Sequence, residues 1–253
     1  LAAGALGNSI GFGILMFPFG VLMALDPLVS QAFGARDHER IRLHFQRGLL
    51  LAVVLFVPAA LLMWNTEGAL RLLRQKEEVL GPASDYIRAL VPGGLAFLLY
   101  VVLRQSLQAM TVVKPAFFVI VLANGVNIVA NYALIFGNFG FPRLEVVGSA
   151  LATSVSRWFM FLGLGVISLP LLRPYLRPIP CAQFHPARYR RFVVLGAPVG
   201  LQISLELWVF TAVAVLMGSL GTRELAGHNI ALNLAALTFM VPLGLAGASA
   251  TRV

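Results

Sequence analysis

The sequence predicts an all-α integral membrane protein, a bundle of membrane-spanning helices. Of its 253 residues, 59% are hydrophobic and only 11% are charged, and the mean hydropathy is +0.86. Soluble domains carry about 25% charged and about 45–50% apolar residues. This composition argues against a soluble enzyme, a nucleic-acid-binding domain and a disordered chain. Apolar runs such as Leu49 to Leu55 do not alternate with polar residues, as the strands of a membrane β-barrel would.

Seven runs are long and apolar enough to cross a bilayer, which takes roughly 20 residues in a helix. The first, fourth and seventh contain no Asp, Glu, Lys or Arg. The fifth is interrupted only by Arg157 and the sixth only by Glu206. In chain order, the predicted spans are 1–25, 48–64, 84–103, 115–137, 146–172, 192–222 and 225–251.

The basic residues indicate the orientation of these spans. The net charge of +9 would suggest a nucleic-acid partner in a soluble protein, but here the charge lies in short connections, where Lys and Arg mark the cytoplasmic side. We therefore expect no nucleic-acid partner. The first span then runs from outside to inside, so we expect another span before Leu1 and treat the sequence as a fragment. The basic residues after the first, third and fifth spans are Arg36, Arg40, Arg42, Arg47, Arg104, Lys114, Arg173, Arg177, Arg188, Arg190 and Arg191.

The first and seventh spans repeat one another without gaps. A Met-x-Pro-x-Gly segment occurs in each, at 16–20 and at 240–244. Both copies run in the same direction, as in transporters built from two parallel repeats. The parent protein would then hold about twelve spans in two six-helix lobes. Residues 1–172 are predicted to form the N-terminal lobe without its first helix, residues 173–191 a proline-rich cytoplasmic linker, and residues 192–253 the first two helices of the C-terminal lobe.

Glu206 is the clearest functional candidate. A charge at the centre of a spanning helix costs about 2.5–3.5 kcal/mol of insertion, so it usually faces a cavity and has a function. Gln202 lies four residues earlier, on the same helix face. A glutamate there can take up and release a proton, or bind Na+ when ionised. The alternative is a protonated or arginine-paired glutamate that only joins two helices.

Asparagine pairs form a second polar feature. Asn127 and Asn131 are spaced i, i+4 and lie on one face of the fourth span. Their carbonyl oxygens suit a hard cation, but amides also hydrogen-bond between membrane helices, and the sequence leaves both interpretations open. Asn233, paired with Asn229, favours helix association. Arg157 favours a structural role, either paired or reaching toward the cytoplasm.

Enzyme motifs are missing from the sequence. It has no H-E-x-x-H segment, no G-x-S-x-G elbow and no Walker A loop. Its four histidines are scattered and form no metal-ligand spacing. We expect a transporter driven by an ion gradient rather than an enzyme, with no cofactor and no metal other than Na+ at the coupling residues.

Several blocks in order resemble the multidrug and toxic compound extrusion (MATE) family. The resemblance implies two six-helix lobes around a central cavity and exchange of Na+ or H+ for organic, often cationic, drugs. This chain is similar to helices two to eight of that family. The matching blocks are Gly20, Leu28 to Ala35, Asn127 to Tyr132, Val147 to Thr153, Gly196 to Pro198, Glu206, Leu225 to Asn233 and Phe239 to Gly244.

The resemblance also implies roles for particular residues. Glu206 matches the family's acid in helix seven, which is associated with cation coupling in the C-terminal lobe. Asn127 and Asn131 match polar positions of helix five that help to form a cation site in the N-terminal lobe. The second of these is an acid in some members. Auxiliary polar positions of the cavity are Gln202, Thr153, Asn233 and Arg157.

These observations predict a cation-coupled antiporter that exports small organic compounds by alternating access. We expect a monomer that crosses the bacterial inner membrane several times. One alternative is a flippase for lipids or lipid-linked glycans with the same two-lobed fold, although such proteins line the cavity with many cationic groups and only Arg157 lies deep in a span here. A second alternative is a channel or a structural membrane subunit.

Overall fold

A computed structural model of the protein describes residues 2–68, 77–176 and 189–252. Its long elements are all helices, seven of them spanning candidates by length and composition, which confirms the predicted fold class. The helices are α1 (Ala2–Leu22), α2 (Leu25–Gly34), α3 (His38–Trp64), α4 (Glu77–Ala109), α5 (Lys114–Phe136), α6 (Glu145–Leu172), α7 (Arg190–Leu220) and α8 (Thr222–Arg252), with a short 3-10 turn at Arg173–Leu176.

The first span is longer than predicted. It covers Gly7–Gly34, because α2 continues from α1 after a break at residues 23 and 24. Pro27 lies in the first turn of α2. Its missing N–H removes no helical hydrogen bond at that position, but Pro27 cannot lie within a continuous helix that begins in α1. Asp26, in the first turn of α2, is partly buried and accepts hydrogen bonds from Ser30 (3.3 Å) and Gln108 (3.3 Å).

The second and third spans also begin earlier than their apolar runs. Helix α3 starts at His38, where the Asp37 carboxylate caps it by accepting from the Arg40 N–H at 3.0 Å. Helix α4 starts at Glu77. The α3 extension is rich in charged residues and the α4 extension begins with two glutamates, so hydropathy alone does not include them in a span.

Two apolar clusters hold the helices together. The first lies at the end of the bundle that holds the α2–α3 and α6–α7 connections, which we call the basic end. This cluster includes Leu25, Phe45, Leu103 and Phe192. The second lies toward the opposite end, around Leu15, Met63, Ile87 and Leu90. Phe56 and Phe97 pack against both clusters and mark the level at which they meet.

Helix α4 packs against α6 along a close interface. The Ser154 hydroxyl donates to the Ala89 carbonyl at 2.9 Å, and the Trp158 indole donates to the Pro92 carbonyl at 3.1 Å. Gly93 lies against the Ser154 backbone, leaving no room for a side chain. On the other side of α6, the Ser156 hydroxyl donates to the Ala123 carbonyl of α5 at 2.9 Å.

The described ends of the predicted linker are attached to α2 and α3. Tyr175 is buried, with its hydroxyl 3.0 Å from His38 Nδ1 and its carbonyl accepting from Gln46 at 2.7 Å. At the far end, the Arg191 guanidinium donates to the Gln31 side chain at 3.1 Å. Residues 177–188, the middle of the predicted linker, lie outside the described residues. Both attachments are at the basic end.

Candidate functional site

Helices α1 and α7 cross closely in the half of the bundle toward the basic end. Gly20 and Gly200 face each other there, and Gly196 lies against the Val21 carbonyl. A side chain at any of these glycines would overlap the backbone of the opposite helix. Small residues allow membrane helices to approach this closely. Near the basic end, therefore, α7 packs against α1 through Gly196 and Gly200, and Arg191 links it to α2 by a hydrogen bond to Gln31.

Beyond this crossing, the same two helices border a cavity of about 700 Å³ together with α3. Drug-sized sites occupy roughly 300–1,000 Å³ and are mostly apolar with a few polar groups. The Ser204 hydroxyl is buried here and has no hydrogen-bond partner among the described residues. Trp208 is 65% exposed. The lining residues are Ser9, Ile10, Gly13, Ile14, Phe17, Pro18, Leu55, Pro58, Ala59, Leu62, Thr66, Ser204, Leu207, Trp208 and Thr211.

Glu206 does not line this cavity. On α7 the positions Ser204, Leu207 and Thr211 share the cavity face, as the helical repeat requires. Glu206 and Gln202 lie on another face and are both exposed. In the part of the chain that the structure describes, Glu206 forms no salt bridge. The alternative of an arginine-paired glutamate thus has no support within these residues.

Asn127 and Asn131 share one face of α5, as predicted. The Asn131 Nδ2 donates to the Asn127 Oδ1 at 2.9 Å. The Oδ1 of Asn131 is buried and has no described hydrogen-bond partner. The two amides bond to each other rather than to another helix, and one carbonyl oxygen remains free to accept. This arrangement leaves a role in cation binding and a role in helix association both open.

Thr153 lies at the same depth as the asparagine pair. Helices α5 and α6 are antiparallel, with Ser156 opposite Ala123, so one turn along each helix brings Thr153 level with Asn127. The Thr153 hydroxyl donates to the Ser149 carbonyl of its own helix at 2.9 Å. Asn233 does the same on α8, donating to the Asn229 carbonyl at 2.9 Å, and is exposed.

Arg157 lies at the middle of α6, inside the bundle. Its Cζ atom is 5.2 Å from the centre of the Phe97 ring, a cation–π contact. Phe97 in turn stacks on Phe19 of α1, with ring centroids 5.9 Å apart. The Nη1 atom is buried without a hydrogen-bond partner in the described structure. Arg157 therefore does not reach the cytoplasm, and we correct that part of its structural interpretation.

The resemblance implies a central cavity, but sequence reasoning did not identify the residues that line the observed one. Its residues are common ones in membrane helices, and only their convergence from α1, α3 and α7 makes a site. The i, i+4 spacing of Gly196 and Gly200 is typical of a close contact between membrane helices, but it does not identify the partner helix. Among the described residues, no three His, Cys, Asp or Glu side chains are grouped as metal ligands.

A match to a family model shows which protein family this chain belongs to. The MatE model matches residues 1–133 and 198–253. The chain belongs to the MatE family. Each of the two matched stretches contains one Met-x-Pro-x-Gly segment, as expected if both lobes derive from one repeat.

Solved structures of MATE transporters match nearly the whole chain. A eukaryotic MATE transporter, AtDTX14, is 25% identical with a TM-score of 0.84 over 99% of this chain. A multidrug resistance MATE family transporter of the MOP superfamily, in an outward-facing conformation, is 25% identical with a TM-score of 0.78 over 99% of this chain. A MATE protein in the straight conformation is 26% identical with a TM-score of 0.80 over 99% of this chain. This chain spans 56% of the length of each of these chains.

Proposed function

We propose that the protein is a secondary transporter that exports small organic compounds in exchange for Na+ or H+, by alternating access. The proposal rests on the difference between the two halves of the α1–α7 pair. The two helices are sealed by glycines toward the basic end and separated by an apolar cavity in the other half. By the positive-inside rule the sealed half is cytoplasmic, so the cavity belongs to an outward-open state.

The cavity suits a compound with a flat, apolar body. Its wall is apolar apart from hydroxyl-bearing residues, and Trp208 offers a ring face for stacking. The Ser204 hydroxyl can bond one polar group of the compound. None of the described lining residues carries a carboxylate, so recognition of a cation by these residues would depend on aromatic rings rather than on an ion pair.

Glu206 is the group we assign to the coupling ion. It is the sole acid within the apolar part of α7. Its side chain lies on a face of α7 that points away from α1, and no described residue of α8 covers it. An ion bound there stabilises one arrangement of the lobes only if it binds that arrangement more tightly. Protonation or Na+ binding at Glu206 would thereby shift the balance between the sealed and the separated states of α1 and α7.

Gradient-driven efflux by the full-length protein tests this assignment. Proteoliposomes are loaded with ethidium, and export is followed under an inward H+ or Na+ gradient. Glu206→Gln should abolish the gradient-dependent part of export, while Glu145→Gln, an exposed acid at the start of α6, should leave it unchanged. Unaltered export by Glu206→Gln at normal expression would reject the coupling role.

Counterflow separates a transporter from a channel. An alternating-access carrier exchanges labelled ethidium faster when unlabelled ethidium is present on the opposite side. A channel does not show this stimulation, so its absence in the wild-type protein would contradict the proposed function.

A further inference from the structure

The first turn of α7 buries a large side chain among the helices that precede it in the sequence. Phe192 is only 1% exposed. It belongs to the apolar cluster at the basic end, and every other buried member of that cluster lies between residues 21 and 175. Its ring centroid is 5.7 Å from that of His44 on α3. A residue of the predicted C-terminal lobe is thus inserted into the predicted N-terminal lobe.

Phe192 ends a stripe of buried positions along α7. The described residues of this helix that are buried are Phe192, Gly196 and Gly200, and their four-residue spacing places them on one face. The two glycines bring the backbones of α1 and α7 into contact but add no side chain of their own. The next residues, Val193 and Val194, are 47% and 59% exposed. Among the described residues of the stripe, Phe192 therefore supplies the one large apolar side chain.

The stripe separates the cavity from the basic end. Phe192 precedes Gly196 by one helical turn, and Arg191 beside it bonds Gln31 of α2 at 3.1 Å. The cavity begins beyond the glycines, where Ser204 lines it. A path between α1 and α7 from the cytoplasm to the cavity would have to pass Phe192 first and the glycines next. The burial of Phe192 comes from contacts among described residues, so further helices would only add to it.

The place of Phe192 at the membrane edge gives its burial a large effect. Arg190 and Arg191 directly precede it and are exposed, so a contact that opens here meets water. Small residues deeper in the membrane contribute close packing without a hydrophobic driving force. Removal of a phenylalanine side chain from water, by contrast, favours the buried arrangement roughly ten- to a hundredfold.

We propose that Phe192 is the cytoplasmic gating residue. Its side chain holds the α1–α7 contact closed by inserting into the predicted N-terminal lobe, and it leaves that lobe when the contact opens toward the cytoplasm. The inference rests on the proposed function, because alternating access requires this contact to open once in each cycle. Phe192 thereby biases the empty transporter toward the outward-open state.

Labelling of a cysteine within the contact tests the proposal in inside-out membrane vesicles that hold the full-length protein. Val21 is buried against Gly196, so the reaction rate of Val21→Cys with a membrane-impermeant maleimide reports opening, with Cys181 replaced by serine. Phe192→Ala should raise this rate roughly ten- to a hundredfold. Phe192→Leu keeps an apolar side chain and should raise it much less. Phe139→Ala, at a side chain that is 75% exposed at the opposite end, should leave it unchanged.

A second cysteine separates gating from general loosening of the bundle. Ala150 is fully buried in the other apolar cluster, and Ala150→Cys should stay unreactive in every variant. A Val21→Cys rate that Phe192→Ala does not change, or that rises together with the rate at Ala150→Cys, would overturn the gating role. A Phe192→Leu variant that reacts as fast as Phe192→Ala would overturn it as well.

A measurement that keeps the aromatic ring avoids dependence on the folding of these variants. With 4-fluorophenylalanine at position 192 of the full-length protein, the fluorine NMR signal should be insensitive to a water-soluble gadolinium chelate. Saturating ethidium should add a second signal that the chelate broadens. A signal that is never broadened, or that is broadened throughout, would overturn the proposal. A wild-type protein that moves no ethidium would contradict the proposed function whatever the labelling shows, so the two failures are distinguishable.

Discussion

The two halves of the α1–α7 pair are built on different principles. Toward the basic end, Gly20, Gly196 and Gly200 bring the backbones into contact, and a hydrogen bond between Arg191 and Gln31 joins the helix ends. In the other half, Trp208 and its neighbours hold the helices apart around a cavity. The contact can be tight because it has no side chains, and the cavity can take varied shapes because its wall is apolar. The same two helices therefore supply both a seal and a binding surface.

The largest expected effect comes from adding a side chain at the glycine contact between α1 and α7. Gly200→Leu places a side chain against the Phe17 carbonyl and Gly20, so the sealed arrangement cannot form and ethidium efflux by the full-length protein should be lost. Gly125→Leu is the matched control, since nothing lies within 4 Å of its added Cβ atom. Efflux and the melting temperature are measured together. Normal efflux by Gly200→Leu would show that this crossing plays no part in transport.

A smaller effect is expected from narrowing the cavity. Thr211→Trp occupies space between α1, α3 and α7, and should raise the KM for ethidium roughly three- to tenfold, the cost of about 0.7–1.4 kcal/mol of lost contact. Thr238→Trp is the control, because Thr238 is exposed on α8 and donates to its own helix as Thr211 does. Equal kinetics for the two variants would remove the cavity from the substrate path.

The spans were predictable because the membrane requires each to be long, apolar and helical, and all seven were found. Their ends were less predictable. The charged starts of α3 at His38 and of α4 at Glu77 carry no hydropathy signal, and α2 continues the first span past residue 25, where the predicted span ends.

The site was less predictable than the fold, since it depends on which helices meet. Glu206 stands out in any hydropathy analysis, but the sequence does not say which face of α7 packs against α1. Arg157 stands out equally and was interpreted as structural. Its contact with the Phe97 ring became evident only in the packed bundle.

Distances between spin labels test the central claim most directly. Labels at Ser9 and Thr211 report on the cavity half of the α1–α7 pair, and labels at Gln31 and Arg191 report on the basic end, in the full-length protein with Cys181 replaced by serine. Alternating access predicts that acidification or saturating ethidium shortens the first distance while it lengthens the second. Two distances that stay fixed, or that change in the same direction, would contradict the account.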